Sequence, residues 1–168
     1  MAAESTTTDS EICREFVRIA HTIVWCTLTT VDSHGSPRSR VVHPYWESSG
    51  DGVVGWVFTR PGSLTVKHVA RNPHISCSYW SPSHETAVAD CRAQVVDDEY
   101  TRAKVWSVFA TAPEPLGYDP RILGADDHHS PAITVLRMVP HRLRVPSGLW
   151  RRSPHVTRGR PGGHGGPS

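Results

Sequence analysis

The pattern of apolar positions changes its period near the start of the chain. The spacing predicts a helix over residues 11–21, which either Asp9 or Ser10 is expected to cap. One face of this helix carries three apolar side chains, Ile12, Phe16 and Ile19. Residues 22–31 (TIVWCTLTTV) are instead rich in β-branched side chains, which favour an extended strand. The sequence therefore predicts a helix followed directly by a strand.

Short turns separate the strands that follow. Residues 32–35 (DSHG) predict a tight turn, because Asp and Gly tolerate the backbone angles of a chain reversal. A second strand is predicted at 37–46, a second turn at 48–52 and a third strand at 53–59. Three strands joined by short turns indicate an antiparallel meander rather than a βαβ sheet.

The same reasoning extends to the rest of the chain. The further predicted elements are a helix at 64–70, strands at 74–80 and 85–96, a helix at 99–111 capped by Asp97 or Asp98, a loop at 112–130 and a strand at 133–145. The total is about six strands with two or three helices. Strands of this number close into a barrel, because closure removes exposed sheet edges. The prediction is thus a mainly β fold, a six-stranded antiparallel barrel with flanking helices.

Composition sets the boundaries of this domain. The chain has 168 residues, which favours one domain, predicted at residues 9–150. Residues 1–8 are expected to be disordered. Residues 151–168 consist mostly of Arg, Pro, Gly and His, which have little apolar surface to bury, so a disordered tail is predicted there.

Charge and hydropathy restrict the partners and the compartment. The formal net charge of +2 is too small to favour nucleic acid or a membrane surface as a partner, although a nucleic-acid role for the basic tail is kept as an alternative. No apolar stretch approaches the roughly 20 residues needed to cross a bilayer. The first residues lack the basic and apolar regions of a signal peptide, so a cytoplasmic protein is expected.

Residues 126–129 (DDHH) offer the oxygen and imidazole ligands that metal ions use. Adjacent ligands on an irregular loop make poor chelates without a preformed frame. We therefore expect no metal site, and interpret this stretch as a solvated loop or a lid on the substrate side.

Two stretches resemble pyridoxamine 5'-phosphate oxidases and their relatives. Residues 35–42 (GSPRSRVV) match the family's G-x-P-x-x-R-x-V pattern, and residues 26–35 (CTLTTVDSHG) match the strand that precedes it. Further on, residues 57–59 (VFT), Ser63 and residues 72–73 (NP) are similar in order and spacing to the family's motifs. The resemblance covers roughly residues 12–145.

The resemblance implies an FMN-binding split β-barrel that works as a homodimer, with the flavin at the dimer interface. Five tryptophans, expected to pack in the core or between subunits, support the dimer: Trp25, Trp46, Trp56, Trp80 and Trp106. The family pattern places the flavin ring along the second and third strands and its phosphate at the start of the following helix. The candidate cofactor-binding residues are Arg38, Arg40, Val41, Val42, Phe58, Thr59, Arg60, Ser63, Thr65 and Lys67.

The chain departs from the oxidases at two positions that hold the cofactor phosphate in that family and at one that contacts the substrate or the flavin ring. The oxidases carry Arg-Lys where Leu64 and Thr65 stand here, and a lysine where Tyr45 stands. Arg60 and Lys67 could compensate for the missing cations. The resemblance thus implies a flavin- or deazaflavin-dependent oxidoreductase, with FMN or coenzyme F-420, that transfers hydride to or from a small organic substrate other than pyridoxamine phosphate. A non-catalytic flavin- or haem-binding module is the alternative, and no catalytic residue is assigned.

Overall fold

The strands form one antiparallel sheet, and helices lie beside it. The computed structural model describes residues 7–50 and 52–153. Its elements are α1 (Asp9–Ile23), β1 (Cys26–Val31), β2 (Pro37–Val42), β3 (Tyr45–Ser49), β4 (Gly52–Thr59), α2 (Leu64–Arg71), β5 (His74–Trp80), β6 (Thr86–Val96), α3 (Glu99–Thr111), a 3-10 turn (Pro120–Leu123), β7 (Thr134–Val145) and β8 (Gly148–Arg151). No helix in these ranges is long and apolar enough to cross a membrane.

All eight strands belong to one antiparallel sheet. The strand order is β2-β1-β5-β6-β7-β4-β3, and β8 pairs with β7. Strand β7 therefore pairs with three neighbours, β6, β4 and β8. The predicted mainly β antiparallel fold with flanking helices is confirmed, with eight strands among the described residues in place of about six. The barrel closure predicted from the strand number is not found in the strand pairing, because β2 and β3 at the two ends of the order do not pair with each other.

The two additional strands arise at two separate places in the chain. The predicted strand at 37–46 divides at His43 and Pro44 into β2, which pairs with β1, and β3, which pairs with β4. Proline has no backbone N–H to donate to a ladder, and Pro44 therefore weakens the strand at this point.

The second additional strand, β8, ends at Arg151, where the sequence predicts that the tail begins. The backbone N–H of Arg152 also donates to the His141 carbonyl at 3.0 Å. Residues 1–6 and 154–168, which hold most of both predicted disordered ends, lie outside the described residues. The division into a domain with two tails stays a prediction.

The predicted caps of the first helix are wrong, because Thr8 caps α1. The Thr8 hydroxyl accepts from the backbone N–H of Glu11 at 3.3 Å, and the Glu11 carboxylate accepts from the Thr8 N–H at 2.7 Å. This reciprocal pair is a capping box, which satisfies two backbone donors at once. The helix continues to Ile23, and Val24 has a φ of 70°, so β1 begins only at Cys26.

The main core lies between α1 and the sheet. Phe16 of α1 packs edge-on against Trp46 with ring centroids 4.9 Å apart, and the Trp46 indole N–H donates to the Tyr79 hydroxyl at 2.7 Å. Trp56 is also buried and Trp106 is half-buried. Trp25 and Trp80, however, are each 60% exposed in the single chain, so of the two placements expected for them only the one between subunits is left, and it stays a prediction.

Candidate functional site

Strand β2 is an edge strand that separates two cavities. Within residues 7–50 and 52–153, β2 pairs only with β1, so its second edge has no strand partner. Arg38 and Arg40 line a polar cavity, and Val41 lines an apolar one. The stretch that resembles the flavin-binding strand thus contributes to both cavities.

The polar cavity has a volume of about 710 Å³ and lies where β2 meets the start of α2. It is lined by Asp32, Arg38, Ser39, Arg40, Leu64, Thr65 and His68. Helix α2 begins after Ser63, whose hydroxyl accepts from the Val66 N–H at 3.3 Å and lies 3.1 Å from the Thr59 hydroxyl. A helix N-terminus with hydroxyl groups and a cation suits an anionic ligand such as a phosphate.

The two arginines of the polar cavity differ in their partners. Arg38 Nε donates to the Asp32 carboxylate at 2.8 Å, so its charge is matched. Arg40 is half-buried and, among the described residues, forms no ion pair with a carboxylate. Burial lowers the pKa of Arg40, which reflects the cost of keeping this guanidinium charged there. Arg40 is therefore the cation that a bound anion would neutralise.

A buried hydroxyl holds Arg40 in place. Arg40 Nη1 donates to Thr30 Oγ1 at 2.7 Å, and Thr30 Oγ1 lies 2.8 Å from Nδ1 of His68. A guanidinium only donates, so the Thr30 oxygen accepts from Arg40 and the Thr30 hydroxyl proton can be donated elsewhere. His68 Nδ1 at 2.8 Å is a better acceptor for this proton than the Arg38 carbonyl at 3.4 Å. His68 in its neutral form then carries its proton on Nε2. The chain Arg40–Thr30–His68 links β1, β2 and α2.

We expect Thr30→Val to weaken binding of a phosphate ligand and to lower stability by about 1 to 2 kcal/mol. Valine preserves the shape of the side chain but leaves Arg40 without its acceptor and the buried Nδ1 of His68 without a donor. Phosphate titration and urea unfolding of both proteins would measure the two effects. Thr30→Ser, which keeps the hydroxyl, should retain most of the affinity; equal losses in both variants would contradict this role.

The turn beside the polar cavity is sensitive to acid. The carboxylate of Asp32 accepts first from Arg38 and also from the backbone N–H groups of Ser36 and His34, and these bonds lower its pKa to about 2. A lowered pKa in the folded state contributes stability above the ordinary pKa of about 3.9, and this contribution is lost as the pH falls toward 2. The protection factor of the Ser36 amide against hydrogen exchange is therefore expected to fall as the pH falls from about 4 to 2. In Asp32→Asn, whose side chain does not titrate, the protection factor should not change over this range; the same pH dependence in the variant would contradict the prediction.

The apolar cavity lies next to the C-terminal end of β2 and has a volume of about 360 Å³. It is lined by Trp25, Val41, Val42, His43, Val57, Phe58, Pro115, Tyr118, Ile122 and Leu123. His43 Nε2 donates to the Leu116 carbonyl at 2.7 Å, so Nδ1 remains an acceptor, and burial lowers the pKa of His43. The rings of Trp25 and Tyr118 lie 5.1 and 4.9 Å from the His43 ring. This aromatic wall suits a flat, uncharged ring system.

The structure distributes the candidate residues over both cavities. Arg38, Arg40 and Thr65 line the polar cavity, and Val41, Val42 and Phe58 line the apolar cavity. Thr59 and Ser63 form the start of α2 beside them. Arg60 and Lys67 are exposed and line neither cavity.

Sequence reasoning missed five side chains at these cavities, namely Trp25, Thr30, His43, His68 and Tyr118. Tyr118 comes from the predicted loop at 112–130, and no local pattern shows that this loop folds over β2. Thr30 sits in the matched strand at 26–35, but only the structure shows that its hydroxyl meets Arg40. The loop at 112–130 is thereby part of the candidate site.

Comparisons with known proteins agree with this architecture. General stress protein 26 from Bacillus anthracis has a TM-score of 0.67 at 14% identity, with 84% of this chain and 98% of that chain covered. An FMN-binding protein related to pyridoxamine 5'-phosphate oxidase, from Nostoc punctiforme, has a TM-score of 0.59 at 14% identity, covering 86% and 88%. A structure named F420 reductase has a TM-score of 0.55 at 12% identity, covering 77% and 95%.

At these identities the structural matches show the fold, and the sequence comparison shows the family. Among the curated proteins none matches this chain. The family model described as pyridoxamine 5'-phosphate oxidase matches residues 11–145. The chain therefore belongs to the pyridoxamine 5'-phosphate oxidase-like family.

Proposed function

We propose that this protein binds a flavin, either FMN or the deazaflavin coenzyme F-420, along β2 and acts as an oxidoreductase on a small organic substrate. One observation carries the proposal, namely that neighbouring residues of β2 line two different cavities. Arg40, a cation with no carboxylate partner among the described residues, lines the polar cavity, and Val41 lines the cavity with the aromatic wall. A phosphorylated flat ring is a ligand that needs both at once. The Nostoc protein that binds FMN and the F420 reductase share the fold.

The chain's own groups fit such a ligand at both ends. Arg40 and the first backbone N–H groups of α2 would hold the phosphate. Val41, Val42 and Phe58 would contact the ring, and the unpaired edge of β2 offers backbone donors and acceptors for its carbonyl and N–H groups. When bound, the cofactor supplies the hydride chemistry. The protein's part is to position the ring, exclude water from the apolar cavity and keep His43 uncharged beside it.

The departures from the oxidases lower the positive charge at the proposed site of the cofactor phosphate. Leu64 is 65% exposed at the rim of the polar cavity, at a position where the oxidases have a cation. Thr65 beside it lines the same cavity with a neutral hydroxyl. We infer from these departures that the protein is not a true pyridoxamine-phosphate oxidase.

We further propose a homodimer that covers the open side of β2. Trp25 and Val41 are 60% and 65% exposed and both line the apolar cavity. A second copy over this face would bury both side chains and enclose the ring site. Light scattering should give about twice the chain mass of 18.6 kDa. A mass near that of one chain at micromolar protein concentration would contradict the dimer.

The cofactor experiment has two parts. Absorption and mass spectrometry of ligand released from purified protein would identify what it carries from the cell. Titration of cofactor-free protein with FMN and with F-420 should quench the fluorescence of one of them, at micromolar affinity or better, about −8 kcal/mol. Binding of neither would contradict the proposal.

The second candidate function is a non-catalytic module that holds haem or flavin. It is favoured by His43, whose Nδ1 has no hydrogen-bond partner among the described residues and faces an apolar cavity. Imidazole is a common axial ligand of haem iron. A Soret shift on adding haem that His43→Ala abolishes would favour this candidate over the oxidoreductase. The cytoplasmic location predicted from the sequence stays a prediction.

A further inference from the structure

Three side chains with potential metal-ligand atoms meet at the start of α3. Glu99 lies in the first turn of α3, and His128 and His129 lie on the loop that leads to β7. Each offers one ligand atom, and the three atoms lie within 4.8 Å of one another. We propose that Glu99, His128 and His129 bind a divalent transition-metal ion.

Arg102 supplies the frame that adjacent histidines on a loop would otherwise lack. Its side chain is buried, with only 7% of the residue exposed. Nε donates to the His128 carbonyl at 2.7 Å, Nη2 to the Ser130 carbonyl at 2.7 Å and Nη1 to the Ile133 carbonyl at 2.9 Å. Since Arg102 and Glu99 lie one turn apart on α3, the same helix positions the carboxylate and the histidine loop. The ligands are thus brought together before any ion binds.

The local charge favours a cation. The buried guanidinium beside the site, Arg102, is paired with Asp97 at 2.8 Å. Asp126 and Asp127 are exposed on the histidine loop, and the Asp127 carboxylate accepts from the His129 backbone N–H at 2.8 Å. Together with Glu99, these three aspartates give four carboxylates against one guanidinium, so the local net charge is negative and favours a bound divalent cation.

The distances between ligand atoms need only small side-chain rotations. His129 Nε2 lies 3.9 Å from a Glu99 carboxylate oxygen, and the two imidazole rings have centroids 3.9 Å apart. All three side chains have solvent-accessible surface, so they are free to rotate toward a common ion.

The donor set selects the class of ion. Two imidazole nitrogens and one carboxylate oxygen suit Zn²⁺, Ni²⁺ or Cu²⁺, whereas Mg²⁺ and Ca²⁺ prefer all-oxygen sites. Three protein ligands leave coordination positions open. Glu99 and His129 also line a cavity of about 600 Å³, where water or a small anion can complete the coordination.

The test is calorimetric titration of the full chain with Zn²⁺, first as wild type and then as His128→Ala/His129→Ala. The wild type should bind one ion per chain at this site, and the double variant should lose at least about tenfold in affinity. Glu99→Gln should lose affinity to a smaller extent, because an amide oxygen is a weaker ligand than a carboxylate. Mg²⁺ should not compete with Zn²⁺.

His34→Ala/His141→Ala is the matched control, because it removes two exposed histidines elsewhere on the surface. Its Zn²⁺ affinity should equal that of the wild type. An equal loss in the control, or an unchanged affinity in the double variant, would overturn the site. Melting temperatures measured in EDTA should be the same for all these proteins. If the double variant melts at a lower temperature, the Zn²⁺ affinity of Glu99→Gln becomes the deciding measurement. A Glu99→Gln affinity equal to that of the wild type would then overturn the proposal. The experiment needs no flavin, so its outcome is independent of the proposed function.

Discussion

Arg40→Ala is expected to weaken flavin binding roughly tenfold to a hundredfold, because it removes a charge-assisted hydrogen bond worth about 1.5–3 kcal/mol. The melting temperature of the cofactor-free protein should change little. In the variant the Thr30 hydroxyl keeps His68 as a partner at 2.8 Å. Arg40 forms no ion pair with a carboxylate among the described residues, so its removal leaves no carboxylate unpaired. Fluorescence titration with the cofactor and thermal unfolding without it measure the two quantities.

Two controls separate a site effect from a general charge effect. Arg38→Ala removes a cation of the same strand that is already paired with Asp32, so it should cost less affinity than Arg40→Ala. Truncation after Arg152 removes Arg158 and Arg160 and should leave affinity unaltered, because it keeps β8 and every residue that lines the two cavities. A silent Arg40→Ala together with a damaging truncation would move the functional surface to the C-terminal residues.

Trp46→Ala should lower the free energy of unfolding by about 3–5 kcal/mol, a larger loss than we expect from Thr30→Val. The side chain is 1% exposed, packs against Phe16 and donates to the buried Tyr79 hydroxyl at 2.7 Å. Its ring also fills the space over Gly55, where an added Cβ would lie 2.7 Å from Trp46 Cζ3. Alanine would therefore leave both a cavity and a buried hydroxyl without its donor.

Urea unfolding followed by circular dichroism measures this effect. Trp80→Ala is the matched control, because Trp80 is 60% exposed and its loss should change the free energy of unfolding by no more than about 0.5 kcal/mol. A loss below about 1 kcal/mol in Trp46→Ala would contradict the assigned core. A concentration-dependent loss in Trp80→Ala would instead place that side chain between subunits.

Sequence patterns predicted elements well where local chemistry determines them. The bounds of α3 are as predicted because the carboxylate of Asp98 accepts from the Thr101 N–H at 2.9 Å, a cap that the sequence displays. The predicted strand at 74–80 coincides with β5. The cap of α1 was available as well, since Thr8 and Glu11 have the spacing of a capping box. The break at Pro44 was hidden by the apolar and aromatic residues on both sides of it.

The candidate site was predictable only where it follows one strand. Arg40 and Val41 lie in a contiguous motif, so the resemblance could propose them. His43 and the Leu116 carbonyl, by contrast, are 73 residues apart in the chain and meet through tertiary packing. Arg102 likewise stabilises a loop that begins more than twenty residues after it. Contacts of this kind leave no periodic signal, which is why the aromatic wall and the contacts that Arg102 makes with the histidine loop emerge only from the structure.

The position of β7 in the sheet has a consequence for biosynthesis. β7 joins β6 to β4, yet it is the seventh strand to leave the ribosome. Until residues 134–145 emerge, the nascent chain has two unconnected pieces, β2-β1-β5-β6 and β3-β4, with the edges of β6 and β4 bare. Such edges pair readily with other chains, and pairings distant in sequence form slowly. The sheet of this domain therefore cannot be completed before β7 has emerged, and we expect its nascent chains to depend on chaperones more than those of a helical domain of equal length.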